Sequence, residues 1–127
     1  MLGASPVYLD YAHHPTELAA TLSAAKSLGK RTVCVFEPHT FSRVHAFEKE
    51  LLALFKSVDR IGLLPIFPAR ETETHGMSSQ KLAAACGGKY LKDFLSAADF
   101  LRENAEKGSV LLLVGAGRVG EVLGYLS

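Results

Sequence analysis

The chain has 127 residues, a formal net charge of +1 and a hydrophobic fraction of 48%. Its length fits about one domain, and its balanced charge argues against the basic face that nucleic acid or a membrane surface would require. No stretch approaches the ~20 apolar residues of a membrane helix, and residues 1–5 lack the features of a signal peptide. We therefore expect residues 1–5 to be a linker remnant and residues 6–127 to be one domain, with no nucleic-acid partner and no membrane insertion.

Apolar, β-branched runs mark the strands in chain order. Strands are predicted at residues 7–11, 32–36, 61–67, 89–91 and 110–114. Continuous apolar runs of this kind suit strands that are buried on both faces, as in a parallel sheet. Pro65 cannot donate a ladder hydrogen bond, so the third strand is expected to be irregular there.

Amphipathic or capped segments alternate with these strands. Helices are predicted at residues 16–28, 44–58, 79–86, 94–105 and 119–126. Pro15 suits the first helical position, Gly29 is expected to end the first helix as a left-handed C′ residue, and Ser78 or Ser79 and then Asp93 can cap later helices. The alternation predicts an α/β fold, a Rossmann-like doubly wound, mostly parallel sheet with helices on both faces.

A first polar turn, Asp10-Tyr11-Ala12-His13-His14, lies where the first strand ends and the first helix begins. Ligands of open α/β sheets bind beyond the carboxyl ends of the strands, so these side chains are candidates for a binding site. The two histidines could also be ordinary capping or surface residues. A metal site with His39 is a further alternative, although the spacing fits no zinc signature.

A second polar turn, residues 37–43, follows the second strand and carries His39 and Arg43. Because parallel strands share a direction, both polar turns are expected at one edge of the sheet. Arg43 falls in the first turn of the next helix, where the helix dipole favours anions, so an arginine there indicates a bound anion. The alternative is that Arg43 pairs with Glu37 or Glu48, or is solvated.

The motif Gly115-Ala116-Gly117-Arg118-Val119-Gly120 matches G-x-G-x-x-G after a clear strand. Too little chain follows for the second strand of a βαβ unit or for the acidic residue expected ~20 positions later. We therefore interpret the motif as a tight strand-to-helix turn rather than a dinucleotide site. The loop 69–77, with several charged residues, is interpreted as solvated.

Three motifs occur in a set order: Asp-Tyr-Ala-His-His-Pro-Thr-Glu, Pro-His-Thr-Phe-Ser-Arg and Leu-Leu-Val-Gly-Ala-Gly. In this order they resemble the C-terminal domain of the Mur ligases, and most of all the member that joins L-alanine to UDP-N-acetylmuramate in peptidoglycan synthesis. The resemblance implies a cytoplasmic, bacterial, ATP-dependent enzyme that works through an acyl phosphate. It also implies an N-terminal and a central domain in cis, the latter holding most of the ATP and Mg²⁺ contacts.

The same resemblance implies roles for five residues. Asp10 would hold the ATP ribose, and it is the candidate because Leu9 replaces the first acid of the family's frequent Asp-Asp-Tyr. Tyr11, His13 and His39 would line the L-alanine pocket, and Arg43 would bind the alanine carboxylate. No catalytic residue and no metal ligand is expected in this chain, which would be inactive alone.

Three alternatives stay open at this stage. The chain could be the equivalent domain of the muropeptide-recycling tripeptide ligase, which shares the His-His-Pro motif. It could be a stand-alone Rossmann-type ligand-binding module. The third and weakest alternative is a small metallohydrolase.

Overall fold

The computed structural model describes residues 2–3 and 5–126, which contain one five-stranded sheet. All neighbouring strands pair in parallel, in the spatial order β1-β5-β2-β3-β4. The strands are β1 (Val7–Asp10), β2 (Arg31–Phe36), β3 (Arg60–Leu63), β4 (Lys89–Tyr90) and β5 (Ser109–Val114). The carboxyl ends of the strands share one edge, so the turn after β5 lies between the polar turns after β1 and β2.

The helices cover both faces of the sheet, as the alternation of elements predicted. They are α1 (Pro15–Lys26), α2 (Phe41–Ala46), α3 (Glu48–Phe55), α4 (Ser79–Cys86), α5 (Phe94–Glu103) and a final 3₁₀ helix (Val119–Tyr125). No helix within the described residues is long and apolar enough to cross a membrane.

Two apolar cores, one on each face, follow from side-chain alternation along the central strands. Leu112 of β5 packs with residues of α1, α3 and α4, including Leu18. The neighbouring Leu113 packs on the opposite side with α5 and the 3₁₀ helix, including Leu101. The central strands β2 and β5 are therefore buried on both faces, which explains their unbroken apolar sequences. The doubly wound α/β fold is confirmed.

The prediction of a single helix over residues 44–58 is wrong, because the helical backbone is interrupted at Phe47. Phe47 has φ −119° and ψ 22°, ends α2 and precedes α3. Its ring packs edge-on against His14, with the centroids 4.7 Å apart. Val44, Phe47 and Leu51 still face the core together, so the apolar spacing conceals the break.

Gly29 does not end α1 as a left-handed residue, contrary to prediction. The helix ends at Lys26 with Ser27 as its cap, and Gly29 is absent from the positive-φ glycines of the described residues. A Cβ at position 29 would lie 2.6 Å from Val110 Cγ2 and 2.8 Å from the Gly108 carbonyl oxygen. Glycine is needed there for close packing between chain segments.

Other local expectations are confirmed. The chain is irregular at Pro65 as expected, although β3 ends at Leu63 and the strand predicted through residue 67 is too long. Ser78 and Asp93 cap α4 and α5. Of the predicted linker remnant, Met1 and Ala4 lie outside the described residues, as does Ser127 at the other end of the predicted domain. The buried Ser5 donates from Oγ to the Glu106 carbonyl at 2.9 Å, and the boundary between linker and domain stays a prediction.

Candidate binding site at the strand ends

Asp10 closes the turn after β1. Its Oδ1 accepts from the Ala12 N–H at 2.9 Å, and its Oδ2 accepts from Thr21 Oγ1 at 2.9 Å. Each carboxylate oxygen can accept about two hydrogen bonds, so one position on each stays free for a ligand. Asp10 is half-buried and lines a shallow cleft of about 180 Å³ against α1.

The adjacent histidines have different surroundings. His14 caps α1: its Nδ1 accepts from the Thr16 N–H at 3.1 Å, and its own N–H donates to Glu17 Oε1 at 3.1 Å. The ring of His13 instead approaches that of His39, with the centroids 5.7 Å apart. His14 is therefore a capping residue, as one alternative had it, while His13 joins the two polar turns.

His39 lies at the centre of a row of rings. It stacks on Phe67, with the centroids 5.4 Å apart and the planes 19° from parallel. We call His13, His39 and Phe67 the ring wall. The Nδ1 atom of His39 is buried and has no hydrogen-bond partner among the described residues. Phe67 was not expected from the sequence, because it follows the irregular segment after β3.

The pKa of His39 is held below its ordinary value. Burial is the main cause, and the positive charge of Arg43 and the nearby His13 act in the same direction, while Glu71 opposes them. These influences favour the neutral form of the His39 ring, which can donate one hydrogen bond and accept another near Arg43 without adding positive charge.

Arg43 occupies the first turn of α2, as predicted. Its backbone N–H donates to Oγ1 of Thr40, the N-cap residue, at 3.3 Å. No ion pair or hydrogen bond of its guanidinium occurs within residues 2–3 and 5–126. The alternative pairing with Glu37 or Glu48 is therefore wrong. The side chain is half-buried, and the choice between a bound anion and a solvated guanidinium stays a prediction.

Tyr11 is more exposed than the other predicted site residues. It is 65% exposed, and its phenol makes no hydrogen bond within the described part of the chain. Its backbone carbonyl is 3.3 Å from Nδ1 of His13. The structure thus joins His13, His39 and Arg43 at one edge but leaves the Tyr11 ring outside; its place in a pocket stays a prediction.

Glu37 holds the glycine-rich turn instead of pairing with Arg43. It is 4% exposed, and its Oε1 accepts from the N–H groups of Arg118 at 2.7 Å and Val119 at 3.0 Å. Burial raises the pKa of Glu37, although these two hydrogen bonds oppose the shift. A Cβ on Gly117 would lie 2.8 Å from both Glu37 Oε1 and Phe67 Cγ. The interpretation of this motif as a closely packed turn is confirmed.

The loop predicted to be solvated makes an unexpected contact with α2. Glu71 Oε1 accepts from the Ser42 N–H at 2.9 Å, and its Oε2 accepts from Ser42 Oγ. These hydrogen bonds hold the pKa of Glu71 below its ordinary value. Nothing in the sequence spacing pairs a residue of this loop with α2, because the two are 29 positions apart.

A second cleft, of about 300 Å³, adjoins the ring wall. Phe67 is common to both, and Lys92 and Arg118 are among the residues that line the cleft. Within the described residues, no group of three or more His, Cys, Asp or Glu side chains could hold a metal ion.

The geometry defines a class first: a doubly wound α/β domain in which the ring wall and Arg43 lie at the carboxyl edge of the sheet. Residues 2–117 match the profile of the family described as "Mur ligase, glutamate ligase domain". The chain therefore belongs to the Mur ligase family, and the resemblance noted from the motifs is confirmed.

Individual relatives agree. The chain is 47% identical over 121 residues to the UDP-N-acetylmuramate–L-alanine ligase of Clostridium kluyveri, covering 89% of this chain and 26% of that protein. It is 34% identical over 119 residues to the ligase of the same name from Aquifex aeolicus, covering 92% and 26%. The chain thus spans about a quarter of the length of these curated relatives.

A solved structure supports the fold. It is a domain from Haemophilus ducreyi, described as part of a UDP-N-acetylmuramate:L-alanyl-gamma-D-glutamyl-medo-diaminopimelate ligase. Its TM-score is 0.72 at 22% identity, with 99% of this chain and 91% of that chain covered. At this identity the match establishes shared architecture only.

Proposed function

We propose that this chain is the amino-acid-presenting and nucleotide-contacting domain of an ATP-dependent ligase that joins L-alanine to UDP-N-acetylmuramate. The observation that carries the proposal is that the Arg43 guanidinium, which has no partner among the described residues, lies near the ring of His39. A planar guanidinium can grip a carboxylate through two parallel hydrogen bonds. The ring wall suits a small amino acid, since ring faces can enclose a methyl group without demanding further polar contacts.

In the proposed reaction, the muramate carboxylate takes the γ-phosphoryl group of ATP, giving an acyl phosphate and ADP. The alanine amine then attacks the acyl carbon, and phosphate leaves as the amide forms and the nitrogen loses a proton. Arg43 would hold the alanine carboxylate while His13 and His39 orient the molecule. Such positioning converts a bimolecular encounter into a nearly unimolecular step.

We propose that the nucleotide contacts this domain at Asp10. A ribose hydroxyl would donate to one of the free acceptor positions of the Asp10 carboxylate. By family resemblance, the phosphate loop and the Mg²⁺ ligands belong to a central domain, and a further domain binds the UDP-sugar. We also propose a bacterial cytoplasmic location, which suits the unpaired thiols Cys34 and Cys86.

Phosphate release by the full ligase tests the proposal. With ATP and UDP-N-acetylmuramate present, L-alanine should stimulate release of phosphate, whereas the tripeptide L-alanyl-γ-D-glutamyl-diaminopimelate should not. The 127-residue chain alone should release none. Stimulation by the tripeptide but not by alanine would establish the recycling ligase instead. Release by the chain alone would contradict the assignment of chemistry to other domains.

Asp10→Asn tests the nucleotide contact in the same enzyme. The change removes a charge-assisted hydrogen bond worth about 1.5–3 kcal/mol, so the KM for ATP should rise about 10- to 150-fold and the KM for alanine much less. Thr21→Val is the matched control, because it removes the internal donor to Oδ2, a hydroxyl that also lies 3.0 Å from the Glu17 carbonyl oxygen, and keeps the Asp10 carboxylate. A KM for ATP that is unchanged in Asp10→Asn while the KM for alanine rises would refute the ribose role.

A further inference from the structure

The segment 68–77 lies beyond β3, which ends at Leu63, and contacts the start of α2; we call it the strap. Its best-defined contact is made by Glu71. The Glu71 carboxylate accepts two hydrogen bonds from Ser42 in the first turn of α2. One comes from the Ser42 N–H, at 2.9 Å, and the other from its hydroxyl. Ser42 is the residue directly before Arg43 in the chain.

The strap meets α2 at a second point as well. The rings of His75, in the strap, and His45, near the end of α2, stack with centroids 5.3 Å apart and planes 15° from parallel. Just before the strap, the Phe67 carbonyl accepts from the Thr40 N–H at 2.8 Å. The helix is thus held at its beginning and towards its end by residues that follow β3.

Backbone strain is concentrated in the same place. Within the described residues, the non-glycine residues with positive φ are Thr40 at 62°, Ala69 at 54° and His75 at 52°. One is the N-cap of α2 and the other two belong to the strap. Such conformations persist only where surrounding contacts over-determine them, and they concentrate at functional sites.

α2 needs this external support because it is short. It has six residues, fewer than an isolated helix requires to be stable in water. The guanidinium of Arg43 has no bond of its own within the described residues, so its direction depends on how α2 is held. The Glu71–Ser42 bonds fix the turn that carries Arg43.

We propose that Glu71 is a positioning residue: through Ser42 it holds the first turn of α2 so that Arg43 faces the amino-acid carboxylate. The inference rests on the proposed function, because it assigns Glu71 an effect on amino-acid binding. It gives the strap, which the sequence indicated only as a solvated loop, a part in substrate recognition.

Kinetics of Glu71→Ala in the full ligase test the inference. We expect the KM for L-alanine to rise about 10-fold, less than the ~100-fold that a 1 Å displacement in a positioned site can cost. The kcat at saturating alanine and the KM for ATP should change by less than about 2-fold. Glu73→Ala is the matched control, because Glu73 is a 78% exposed carboxylate of the same strap whose ion pair within the described residues is with His75 at 3.9 Å and not with Ser42.

Two further variants distinguish positioning from general support of the fold. Glu71→Gln keeps an acceptor for Ser42, so its KM for alanine should stay within about 3-fold of the wild type. Adding Glu71→Ala to Arg43→Ala should raise the KM no further, since residues that act as a unit are non-additive. An independent 10-fold rise on the Arg43→Ala background, or a Glu71→Gln enzyme as impaired as Glu71→Ala, would overturn the inference.

The test separates this inference from the proposed function. If Arg43→Ala leaves the KM for alanine unchanged, the binding role of Arg43 fails and the inference fails with it. If Arg43→Ala raises the KM and Glu71→Ala does not, only the positioning role of Glu71 is refuted.

Discussion

The glycine-rich turn after β5 and the polar turn after β2 lie side by side at one edge of the sheet, and they differ in how their polar groups are used. In the first, the N–H groups of Arg118 and Val119 donate to the buried Glu37, and the Arg118 side chain pairs with Glu121 at 3.0 Å. In the second, His39 Nδ1 and the Arg43 guanidinium have no partner among the described residues.

This difference reverses what a motif search alone would suggest. The turn that matches a nucleotide-binding pattern has its donors occupied by the protein itself. The turn that matches no general pattern keeps its charged and ring groups available. In this chain the match to G-x-G-x-x-G marks a turn whose Arg118 and Val119 N–H groups already have an internal acceptor, Glu37.

Glu37→Ala should give the largest loss of stability. It leaves two backbone N–H groups without an acceptor, and each buried unsatisfied group costs roughly 1–3 kcal/mol. We expect the free energy of unfolding to fall by about 2–4 kcal/mol in urea denaturation. Glu121→Ala is the control, since an exposed ion pair contributes about 1 kcal/mol or less. Equal losses in both variants would show that Glu37 does not hold the turn.

Gly117→Ala tests the close packing of the same turn. The new Cβ would meet Glu37 and Phe67 at 2.8 Å, and such overpacking costs typically about 1–3 kcal/mol. Gly120→Ala, in the same motif, would meet nothing closer than Leu9 at 3.5 Å and should stay within about 0.5 kcal/mol of the wild type. Similar urea midpoints for both variants would contradict the account of Gly117.

Glu37→Gln should give the smallest effect, and one that depends on pH. Burial raises the pKa of Glu37 in the folded chain, so the folded state binds the proton more tightly than the unfolded state. The stability that this adds is complete below the unfolded value of about 4.3 and is lost as pH rises through the folded value. Glu37→Gln should therefore gain stability relative to the wild type as the pH rises above about 4.3, through the raised pKa of Glu37 in the folded chain.

Thermal unfolding of both proteins across that pH range would measure the effect. Glutamine keeps an acceptor for the Arg118 and Val119 N–H groups, so the turn itself should remain intact. A relative gain by the wild type towards high pH would contradict burial as the dominant influence on Glu37.

Local sequence rules predicted most of the fold. Apolar, β-branched runs located the five strands of the described sheet, and Ser78 and Asp93 marked the starts of α4 and α5 because capping is a local interaction. The rules failed where tertiary contacts determined the backbone conformation or the residue type. Phe47 keeps its place in the apolar spacing while its backbone leaves the helix, and Gly29 is required by Val110, which is far away in sequence.

As with the fold, part of the candidate site could be predicted from the sequence. His13, His39 and Arg43 could be chosen because parallel strands bring their turns to one edge. The partners of Glu37 and Glu71 could not, since hydrogen bonds across 81 and 29 positions leave no periodic signal. The stacking of Phe67 on His39 depends on the irregular path of the chain after Pro65.

The most direct test of the comparison replaces one arginine in each turn of the full ligase. Arg43→Ala removes the proposed partner of the alanine carboxylate, a loss of about 1.5–3 kcal/mol, so the KM for alanine should rise about 10- to 150-fold. Arg43→Lys should fall between, and Arg118→Ala should change that KM by less than about 2-fold. An unchanged KM in Arg43→Ala, or an equal rise in Arg118→Ala, would contradict the account.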